Sequence, residues 1–490
     1  MARNVALAVD LGASSGRIVS GSFDGRILEL EELHRFENGP VAMAGQLVWD
    51  LPRLWHEVVG GLRAAATRHG TSITTVGVDT WGVDFSFLGP DDTLLANPVC
   101  YRDARTRGML AAAEKVVPRA DIFAATGLQF MEINSLYQFL ALKASNSSVL
   151  AAADRMLMIP DLVHWLLAGE RSNERTNAST TQCYDPQTGD WAFPMLDRFG
   201  LPRRVFGPLA DPGTDLGVLR ADVAAETGLA DVRVILPGTH DTASAVAAVP
   251  APEPPSSRPD WCYVSLGTWA LVGAELDRPL VTPECLARNF TNEGGVGGTT
   301  RLLKNVCGLW LVQQCRAAWQ RAGKDWTWEQ LTALAAEAPP LVTLVDPNDP
   351  SLVAPADMPE AIRHLARAAG EPVPESTGAM VRAALESVAA AVRRTLGELD
   401  TLLGRRVSRV HVVGGGVKNR LLCQMIADAT ARPVVAGPVE ATAIGNLLVQ
   451  LAGREGSVDL RTVRAIVRDS FETERYEPRD AARWNDRLGT

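Results

Sequence analysis

The sequence predicts an α/β protein with two domains of similar size and a ligand-binding cleft between them. Its 490 residues exceed what a single hydrophobic core usually fills. Two similar strand-turn-strand segments, at 5–23 and 261–272, open the two halves of the chain. Between them, 250–260 contains five prolines in eleven residues, too many for the interior of a helix or strand. We therefore expect one domain over 1–249, a linker or long loop over 250–260, and a second domain over 261–490.

Composition narrows the class of protein and its partners. Hydrophobic residues make up 46% of the chain and charged residues 21%, which is typical of a globular protein. The net charge of −9 has no compensating basic cluster, so we expect no nucleic-acid partner and no membrane partner. No apolar run approaches the ~20 residues that span a bilayer. The partners we expect are small molecules, bound by a monomer or a small homo-oligomer.

The cysteines, the histidines and the first residues suggest a cytoplasmic protein without a metal cluster. The seven cysteines are scattered and include no C-x-x-C pair, which is typical of reduced thiols. The seven histidines show no metal-ligand spacing. The apolar start at Val5–Val9 is broken by Asp10 and lacks a small-residue cleavage site. We interpret it as a strand and not as a signal peptide.

The first strand-turn-strand segment has the features of a phosphate-binding turn. A strand over Val5–Asp10 runs into LGASSGR at 11–17, and strand character then resumes up to Asp24-Gly25, a hairpin signal. Glycine allows the backbone to approach a ligand closely, and the serines add donors that can hold a phosphate. Asp10, at the end of the strand, could hold a magnesium ion through water. A plain tight hairpin is the alternative.

Two common nucleotide signatures are absent. The glycines at 12 and 16 form G-x-x-x-G and not G-x-G-x-x-G, and no helix follows at once, which argues against a Rossmann dinucleotide site. The chain contains no G-x-x-x-x-G-K-[ST]. It is therefore not a P-loop enzyme.

The second strand-turn-strand segment repeats the first. In WCYVSLGTWALV at 261–272, Ser265, Gly267 and Thr268 stand where Asp10, Gly12 and Ala13 stand in the first segment. Two such turns, one at the start of each half, indicate a duplicated domain with a nucleotide gripped between the copies.

A carboxylate suited to catalysis follows a short strand in the first half. Val232–Leu236 is a β-branched apolar run, and PGTHDTASAV at 237–246 leads from it into a small-residue helix. Asp241 would stand at this strand-to-helix turn, held by backbone N–H groups, as a general base for a substrate hydroxyl. An ordinary helix cap is the alternative.

Further elements frame these turns in the first half. We predict a helix over Leu54–His69, a buried strand over Thr74–Asp79, a helix from Asn134 to Lys143, and a segment over Met156–Asp161 that leads into another helix. After the second of these, Trp81 and Gly82 suit sugar recognition through ring stacking and hydrogen bonds. A core tryptophan is the competing interpretation.

The second half continues with a Gly-rich loop over Asn289–Gly298 and a helix whose first part is the segment 302–313. A long helix from about Ser376 to Leu403 precedes Gly404, which is a helix stop. A strand over Val407–Val413 ends at three glycines, and a helix follows from Asn419 through Ala429. The glycines allow a flat group such as adenine to lie on the backbone, and a tight turn is the equal alternative.

Taken together, these segments resemble the FGGY carbohydrate kinases, a family in the superfamily of actin, hexokinase and the heat-shock chaperone ATPases. The resemblance covers nearly the whole chain, in order. The matching segments are AVDLGASSGR at 8–17, HRF at 34–36, DTWGVDF at 79–85, YRD at 101–103, HDTASAV at 240–246, LGTW at 266–269, TNEGG at 291–295, LKN at 303–305 and VGGG at 413–416.

The resemblance implies a two-domain actin-like ATPase fold, with ribonuclease H-like duplicated domains, and ATP with Mg²⁺ as cofactors. It implies Asp241 as the base. It also implies two sets of contacts. The sugar-binding residues are Trp81, Gly82, His240, Asp241 and Thr242, and the ATP-binding residues are Ala13, Ser14, Ser15, Gly16, Arg17, Thr268, Asn305, Gln313 and Gly415.

Two departures from the family pattern bear on the substrate. Thr80-Trp81-Gly82 replaces a Gln-containing version common in xylulose kinases, and Tyr137-Gln138 stands where many members carry a Lys-aromatic pair. The resemblance therefore implies ATP-dependent phosphorylation of L-rhamnulose to L-rhamnulose 1-phosphate, in L-rhamnose catabolism. The alternatives are another ketose, such as L-fuculose or L-xylulose, and a non-catalytic sugar sensor on the same fold.

Overall fold

The computed structural model of the chain describes residues 4–353 and 355–489. The chain divides into two compact units, each built from three segments of the sequence. The first unit comprises Met1–Ser256, Glu275–Leu302 and Ala441–Ser470, and the second comprises Ser257–Ala274, Leu303–Glu440 and Phe471–Thr490. The predicted boundary at 250–260 stays a prediction, because the compact units interleave along the sequence. No helix or strand forms over 250–260, all of which is described.

The strands of the described residues are, in chain order, β1 Asn4–Leu11, β2 Ser15–Phe23, β3 Leu28–Glu37, β4 Pro40–Met43, β5 Gln46–Trp49, β6 Ile73–Thr80, β7 Phe85–Leu88, β8 Arg155–Met158, β9 Asn173–Glu174, β10 Tyr184–Asp185, β11 Asp190–Trp191, β12 Leu209–Ala210, β13 Asp215–Val218, β14 Arg233–Ile235, β15 Trp261–Leu266, β16 Trp269–Leu276, β17 Thr291–Gly294, β18 Thr300–Cys307, β19 Arg409–Val413, β20 Val434–Ala436 and β21 Glu474–Tyr476.

The α-helices of the same residues are α1 Leu51–His69, α2 Met109–Glu114, α3 Arg119–Thr126, α4 Ser135–Ala144, α5 Ser148–Ala152, α6 Ile159–Ala168, α7 Arg175–Ala178, α8 Phe193–Arg198, α9 Ala221–Thr227, α10 Asp241–Ala247, α11 Pro283–Ala287, α12 Trp310–Arg321, α13 Trp328–Glu337, α14 Met358–Ala368, α15 Thr377–Leu403, α16 Arg420–Thr430, α17 Ala441–Arg454, α18 Leu460–Ser470 and α19 Ala481–Leu488.

The first unit is organised around a six-stranded mixed sheet. Its strand order is β13-β14-β6-β1-β2-β3. β1 runs antiparallel to β2 and parallel to β6, and β6 runs parallel to β14. Because parallel strands end at the same edge of a sheet, the residues that follow β1, β6 and β14 lie at one edge. The register places Asp10 opposite Asp79 there.

Helix α1 shows how local sequence positions an element of this unit. Asp50 caps its first turn by accepting a hydrogen bond from the Arg53 N–H, and Gly70 follows its last residue. Its buried residues recur at helical spacing and face the core. They are Leu51, Leu54, Val58, Val59, Gly61, Leu62 and Ala65.

The second unit repeats the arrangement of strands found in the first. β15 runs antiparallel to β16 and parallel to β19, and β19 runs parallel to β20. Within this unit, strands β16, β15, β19, β20 and β21 are neighbours in that order. The predicted duplication is therefore visible in the topology. The long helix α15 begins after Ser376, whose hydroxyl accepts from the Ala379 N–H, and ends at Gly404 in the left-handed region.

Two predictions for 289–313 are wrong in detail. The expected Gly-rich loop contains the strand β17, and most of the expected helix is the strand β18, so that the helix begins only at Trp310. Leu302 and Leu303 are both fully buried. A strand buried on both faces has no period-two alternation, so an apolar run of this kind cannot be distinguished from a helix by periodicity.

Cysteine state and helix hydropathy complete the description. All seven cysteines are free and buried. Among the described residues, no helix combines the length and the apolar character needed to cross a bilayer.

Candidate active site

The two predicted sugar-binding segments meet at the edge of the first unit's sheet. The Thr80 N–H, at the end of β6, donates to the Thr239 carbonyl at 2.8 Å, and Thr80 pairs with His240 as a parallel bridge. The Asn177 side-chain amide lies 3.3 Å from the Trp81 carbonyl and 3.4 Å from the Thr239 carbonyl. These contacts bring the segment after β6 beside the turn that leads into α10.

Asp241 is the first residue of α10 and lies at the strand-to-helix turn, as predicted. Its Oδ1 accepts from the Thr242 N–H at 2.5 Å and from the Thr242 hydroxyl at 3.0 Å. The Asp241 side chain is 35% exposed, whereas the other residues of α10 are all buried. The first turn of the helix thus stabilises the carboxylate without covering it, as a base that accepts a substrate proton requires.

His240 joins Asp241 to two buried charges. Its Nε2 lies 3.4 Å from Asp241 Oδ1, and its Nδ1 lies 3.0 Å from Nη2 of Arg301 and 3.4 Å from Oε2 of Glu293. Arg301 and Glu293 form an ion pair at 3.1 Å. Burial by itself would raise the pKa of Glu293, but the charge of the Arg301 guanidinium is the largest opposing effect, and that pKa is lowered.

A fully buried carboxylate, Glu174, holds the turn before α10 from behind. Its Oε2 accepts from the Thr239 N–H at 3.0 Å and from the Thr239 hydroxyl at 2.6 Å. The two oxygens also bind the N–H and the hydroxyl of Thr176, and that hydroxyl lies 3.2 Å from the His240 N–H. Burial raises the pKa of Glu174, although these hydrogen bonds oppose the effect. The network fixes the backbone that presents His240 and Asp241.

The structure favours the core interpretation of Trp81. The ring is only 6% exposed and packs on Trp49 with 4.2 Å between ring centroids. Both indoles donate to Oδ2 of the buried Asp84, from Nε1 of Trp49 at 2.7 Å and Nε1 of Trp81 at 3.0 Å. The contact of Trp81 with a sugar stays a prediction.

Gly82 is constrained by protein packing. A Cβ at this position would lie 2.8 Å from the Thr180 hydroxyl oxygen and 2.9 Å from its methyl carbon. The same hydroxyl accepts from the Val83 N–H at 2.9 Å. Val83 has a φ of 68°, which is rare for a β-branched residue. Glycine at 82 therefore allows a tight turn against Thr180, and its contact with sugar stays a prediction.

The first predicted phosphate turn forms a closed loop at the β1–β2 connection. The Gly12 N–H donates to the Ser15 carbonyl at 2.8 Å. Asn38, which follows β3, donates from its side-chain amide to the Gly12 carbonyl and from its backbone N–H to the Ser14 carbonyl. Ser14 is exposed at the tip, while Gly16 is buried. A Cβ at Gly16 would clash with the Phe36 ring. Ser14 is thus the exposed residue of this turn.

Arg17 and Asp10 face each other across the same hairpin. Nε and Nη2 of Arg17 donate to Asp10 Oδ2 at 2.9 and 2.7 Å. This bidentate pair orients the carboxylate at the end of β1. The predicted contact of Arg17 with ATP would share its guanidinium with Asp10.

The carboxylates near the end of β1 and β6 suit a hard cation. Asp79 is fully buried, and its Oδ1 has no hydrogen-bond partner. Burial raises its pKa well above the usual value, and the charges of Asp10 and Asp241 raise it further. No group of three or more His, Cys, Asp or Glu in the described residues is arranged to hold a metal. The pair of carboxylates, Asp10 and Asp79, nevertheless fits Mg²⁺. This ion keeps several waters and takes one or two carboxylates together with substrate phosphates.

In the second unit, Thr268 lies in the β15–β16 turn, between Leu266 and Trp269. The Thr268 carbonyl accepts from the Gly308 N–H at 3.1 Å and from the Trp310 N–H at 3.2 Å, so the start of α12 packs on the turn. Gln313 lies in the first turns of that helix and Asn305 in the preceding strand β18. Both side chains are half-buried.

The glycine turn after β19 lies beside the same strand β15. A Cβ at Gly416 would clash with the Leu266 side chain, whereas a Cβ at Gly415 would meet nothing within 4 Å. Gly414 adopts a φ of 88°, which favours glycine. Of the three glycines, Gly415 is the one with open space in front of it, as contact with a flat ligand requires.

Several buried polar residues of this edge were not singled out by motif. They are Asp84, Glu174, Thr176, Asn177, Thr180, Glu293 and Arg301. Glu293 lies in a segment that resembles the family, but nothing in the sequence gives it a partner. The polar run NERTN at 173–177 has the sequence pattern of a surface loop. Only its burial in the structure shows that it holds the turn before α10.

Comparison with known proteins identifies the family of the chain. The family model for the N-terminal domain of the FGGY carbohydrate kinases matches residues 5–248, and the model for the C-terminal domain matches residues 262–453. A rhamnulokinase of Bacteroides thetaiotaomicron is 42% identical over 478 residues, 98% of this chain and 96% of its own. A rhamnulokinase of Oceanobacillus iheyensis is 36% identical over 96% of this chain and 97% of its own.

Solved structures share the fold at lower sequence identity. A gluconate kinase from Lactobacillus acidophilus has a TM-score of 0.80 at 16% identity, covering 99% of this chain and 96% of its own. A ligand-bound xylulose kinase from the same organism has a TM-score of 0.80 at 17% identity with the same coverage. These similarities confirm the predicted two-domain actin-like ATPase fold. With both domain models matched and relatives aligned over nearly their full length, the chain belongs to the FGGY family of carbohydrate kinases.

Proposed function

We propose that the protein transfers the γ-phosphoryl group of ATP to the 1-hydroxyl of L-rhamnulose, with Asp241 as general base. The observation that carries this proposal is the position of Asp241. It presents a partly exposed carboxylate at the start of an otherwise buried helix, beside a nearly buried histidine. We infer L-rhamnulose as the ketose from the two relatives named above, which are rhamnulokinases at 36–42% identity.

The proposed reaction uses Asp241 to accept a proton. As the 1-hydroxyl oxygen of the ketose attacks the γ-phosphorus, its proton passes to an Asp241 carboxylate oxygen, and the bond from the γ-phosphorus to the bridging oxygen of ADP breaks. The Thr242 N–H and hydroxyl hold Oδ1 of Asp241. His240 and Thr242 are proposed to bind the sugar hydroxyls.

We propose that ATP contacts two groups of residues. These are the β1–β2 turn residues from Ala13 to Arg17, and a set formed by Thr268, Asn305, Gln313 and Gly415. The open positions of Ser14 and Gly415 support this assignment. When bound, Mg²⁺ would neutralise phosphate charge, and Asp10 would hold it through water.

The remaining inferences concern location and assembly. We infer a cytoplasmic location and a monomer or a small homo-oligomer. The seven free, buried cysteines support a reducing compartment.

The test is the replacement Asp241→Asn, assayed with ATP and a panel of L-rhamnulose, L-fuculose and L-xylulose. A general base contributes about 10²-fold or more to the rate, so kcat with L-rhamnulose should fall at least that far while ATP binding and folding persist. The control is Asp222→Asn, which alters an exposed aspartate in the first turn of α9 and should leave kcat unchanged.

Two results would contradict the proposal. Near wild-type turnover by a folded Asp241→Asn protein would leave Asp241 as a helix cap. Equal kcat/KM for L-rhamnulose and L-fuculose on the wild-type protein would remove the assignment of the ketose and leave a deoxyketose kinase.

A further inference from the structure

Arg301 and Glu293 enclose one side of the His240 ring. Arg301 is fully buried on β18, and Glu293 is buried on the neighbouring strand β17. Nε of Arg301 donates to the Gly294 carbonyl at 2.8 Å, so the guanidinium is fixed to the strand that carries Glu293. All three residues belong to the first unit.

The chemistry of Arg301 determines which ring nitrogen of His240 carries the proton. Guanidinium has donors only and does not deprotonate in proteins. Its Nη2 lies 3.0 Å from His240 Nδ1. A proton on Nδ1 would set two donors against each other, so Nδ1 is the acceptor of this hydrogen bond. The proton of the neutral ring then sits on Nε2, which lies 3.4 Å from Asp241 Oδ1.

Glu293 allows the charged guanidinium of Arg301 to be buried beside His240. A lone buried guanidinium is costly, and the carboxylate at 3.1 Å offsets its charge. Without Arg301, Glu293 would lie 3.4 Å from Nδ1 as the remaining charged neighbour on that side. A carboxylate in that position favours a proton on Nδ1. The two residues therefore have opposite effects on His240, and Arg301 is the nearer to Nδ1.

We propose that Arg301, balanced by Glu293, is a positioning residue that keeps His240 neutral with its proton on Nε2, directed at Asp241 and the reacting sugar hydroxyl. The proposal rests on the proposed function of Asp241 and adds to it. A neutral donor orients the carboxylate and the hydroxyl. An imidazolium at the same place would form an ion pair with Asp241 and make that carboxylate a weaker base.

The other groups around His240 are consistent with this assignment. Its backbone N–H lies 3.2 Å from the Thr176 hydroxyl oxygen, on α7. The charged groups that face the ring are Asp241 at the start of α10, Glu293 on β17 and Arg301 on β18. The two ring nitrogens of His240 thus have different roles. Nδ1 accepts a hydrogen bond from the protein interior, and Nε2 donates toward Asp241.

The direct test is nuclear magnetic resonance of the full-length protein labelled with ¹⁵N-histidine. Two-bond ring correlations distinguish an unprotonated Nδ1 from a protonated one. The spectrum of His240→Gln identifies the signals of His240 among those of the seven histidines. We expect Nδ1 to be unprotonated and Nε2 protonated near pH 7. A protonated Nδ1, alone or together with Nε2, overturns the proposal on the wild-type protein alone.

Arg301→Gln is the matching variant. It removes the fixed donor, so the His240 proton should move to Nδ1 or the ring should become charged, and kcat should fall about 10- to 100-fold with little change in the KM for ATP. The control is Arg464→Gln, which breaks another fully buried pair of the same unit, Arg464 with Glu275 at 2.6 Å. It should lower stability and leave the His240 signals and kcat unchanged.

The outcomes separate this proposal from the proposed function. Unchanged His240 signals in a folded Arg301→Gln protein, or an equal change in Arg464→Gln, overturn the role of Arg301. If the wild-type protein does not phosphorylate L-rhamnulose, the proposed function fails, while the position of the His240 proton is still decided by the same spectra.

Discussion

The side chain of Asp84 shows how single buried polar residues shape this edge of the first unit. Its carboxylate accepts from the indoles of Trp49 and Trp81, from the Gln138 amide at 3.0 Å and from the Tyr101 N–H at 3.1 Å. Four donors converge on a group that is fully buried. The Asp84 carboxylate thereby orients the rings of Trp49 and Trp81 at the Trp81-Gly82 turn.

The stability of the protein should depend on pH through Asp84. Burial raises the pKa of Asp84 to about 6, against the opposing hydrogen bonds. The unfolded chain loses this proton near pH 4. Between these values the folded protein binds a proton that the unfolded chain has released, so the free energy of unfolding falls as pH rises, by up to about 3 kcal/mol. Urea denaturation at pH 4, 5, 6 and 7 measures this.

Asp84→Asn isolates the contribution, because it removes the titrating group. At pH 4, where folded Asp84 is protonated, replacing the carboxyl group should cost about 1–3 kcal/mol through mismatched hydrogen bonds. The wild-type advantage over the variant should then shrink from pH 4 to pH 7. A difference that stays constant over this range would mean that Asp84 keeps an ordinary pKa.

At the scale of elements, helix α1 carries two adjacent glycines that face different surroundings. A Cβ at Gly60 would meet nothing within 4 Å, whereas a Cβ at Gly61 would lie 2.5 Å from Cδ1 of Ile18 and 3.1 Å from its Cβ. Ile18 is fully buried on β2, next to Arg17. Gly61 therefore sets how closely α1 packs on the β1–β2 hairpin.

Alanine at these two positions should change stability in opposite directions. Gly60→Ala should stabilise the protein by about 0.5–1 kcal/mol, because alanine restricts the unfolded chain and favours helix. Gly61→Ala should destabilise it by about 1–3 kcal/mol, because the added methyl overpacks the core against Ile18. Thermal and urea unfolding of both variants check this. Equal stabilisation by both would show that α1 can move away from β2 without cost.

At the scale of the whole molecule, the first unit depends on the last part of the chain. Helix α17 supplies Asn446, which donates to Asp79 Oδ2 at 2.5 Å, and Gln450, which donates to the Leu7 carbonyl at 2.9 Å. A Cβ at Gly445 would clash with the Ser244 carbonyl of α10. The helix that bears Asp241 is thus packed against a segment about two hundred residues later in the chain.

A fragment that ends at Ser256 should therefore not fold by itself, although it includes the whole match to the N-terminal family model. It lacks 275–302 and 441–470 of its own compact unit. We expect loss of near-ultraviolet circular dichroism and no cooperative unfolding. The control is the full chain cleaved once within 250–260, which retains all three segments and should unfold cooperatively. Cooperative unfolding of the isolated fragment would contradict the interleaved arrangement.

Much of the fold could be predicted from local patterns. The apolar run at Val5–Asp10, the hairpin signal at Asp24-Gly25 and the cap and stop of α15 depend on residues close in sequence. The repeat of one strand-turn-strand segment in each half predicted the duplicated topology. The carboxylate of Asp241 could be placed at a strand-to-helix turn for the same reason.

The tertiary structure alone determined which polar residues are buried and what they bind. Glu174 contacts Thr239 across 65 residues, and Arg301 contacts His240 across 61 residues. A glutamate or arginine in a polar run has the same sequence signature on a surface loop as in a buried network. β18 was mistaken for a helix because full burial removes the alternation that identifies a strand. Local chemistry thus determined the elements and the catalytic candidate, and long-range packing decided the charges that orient it.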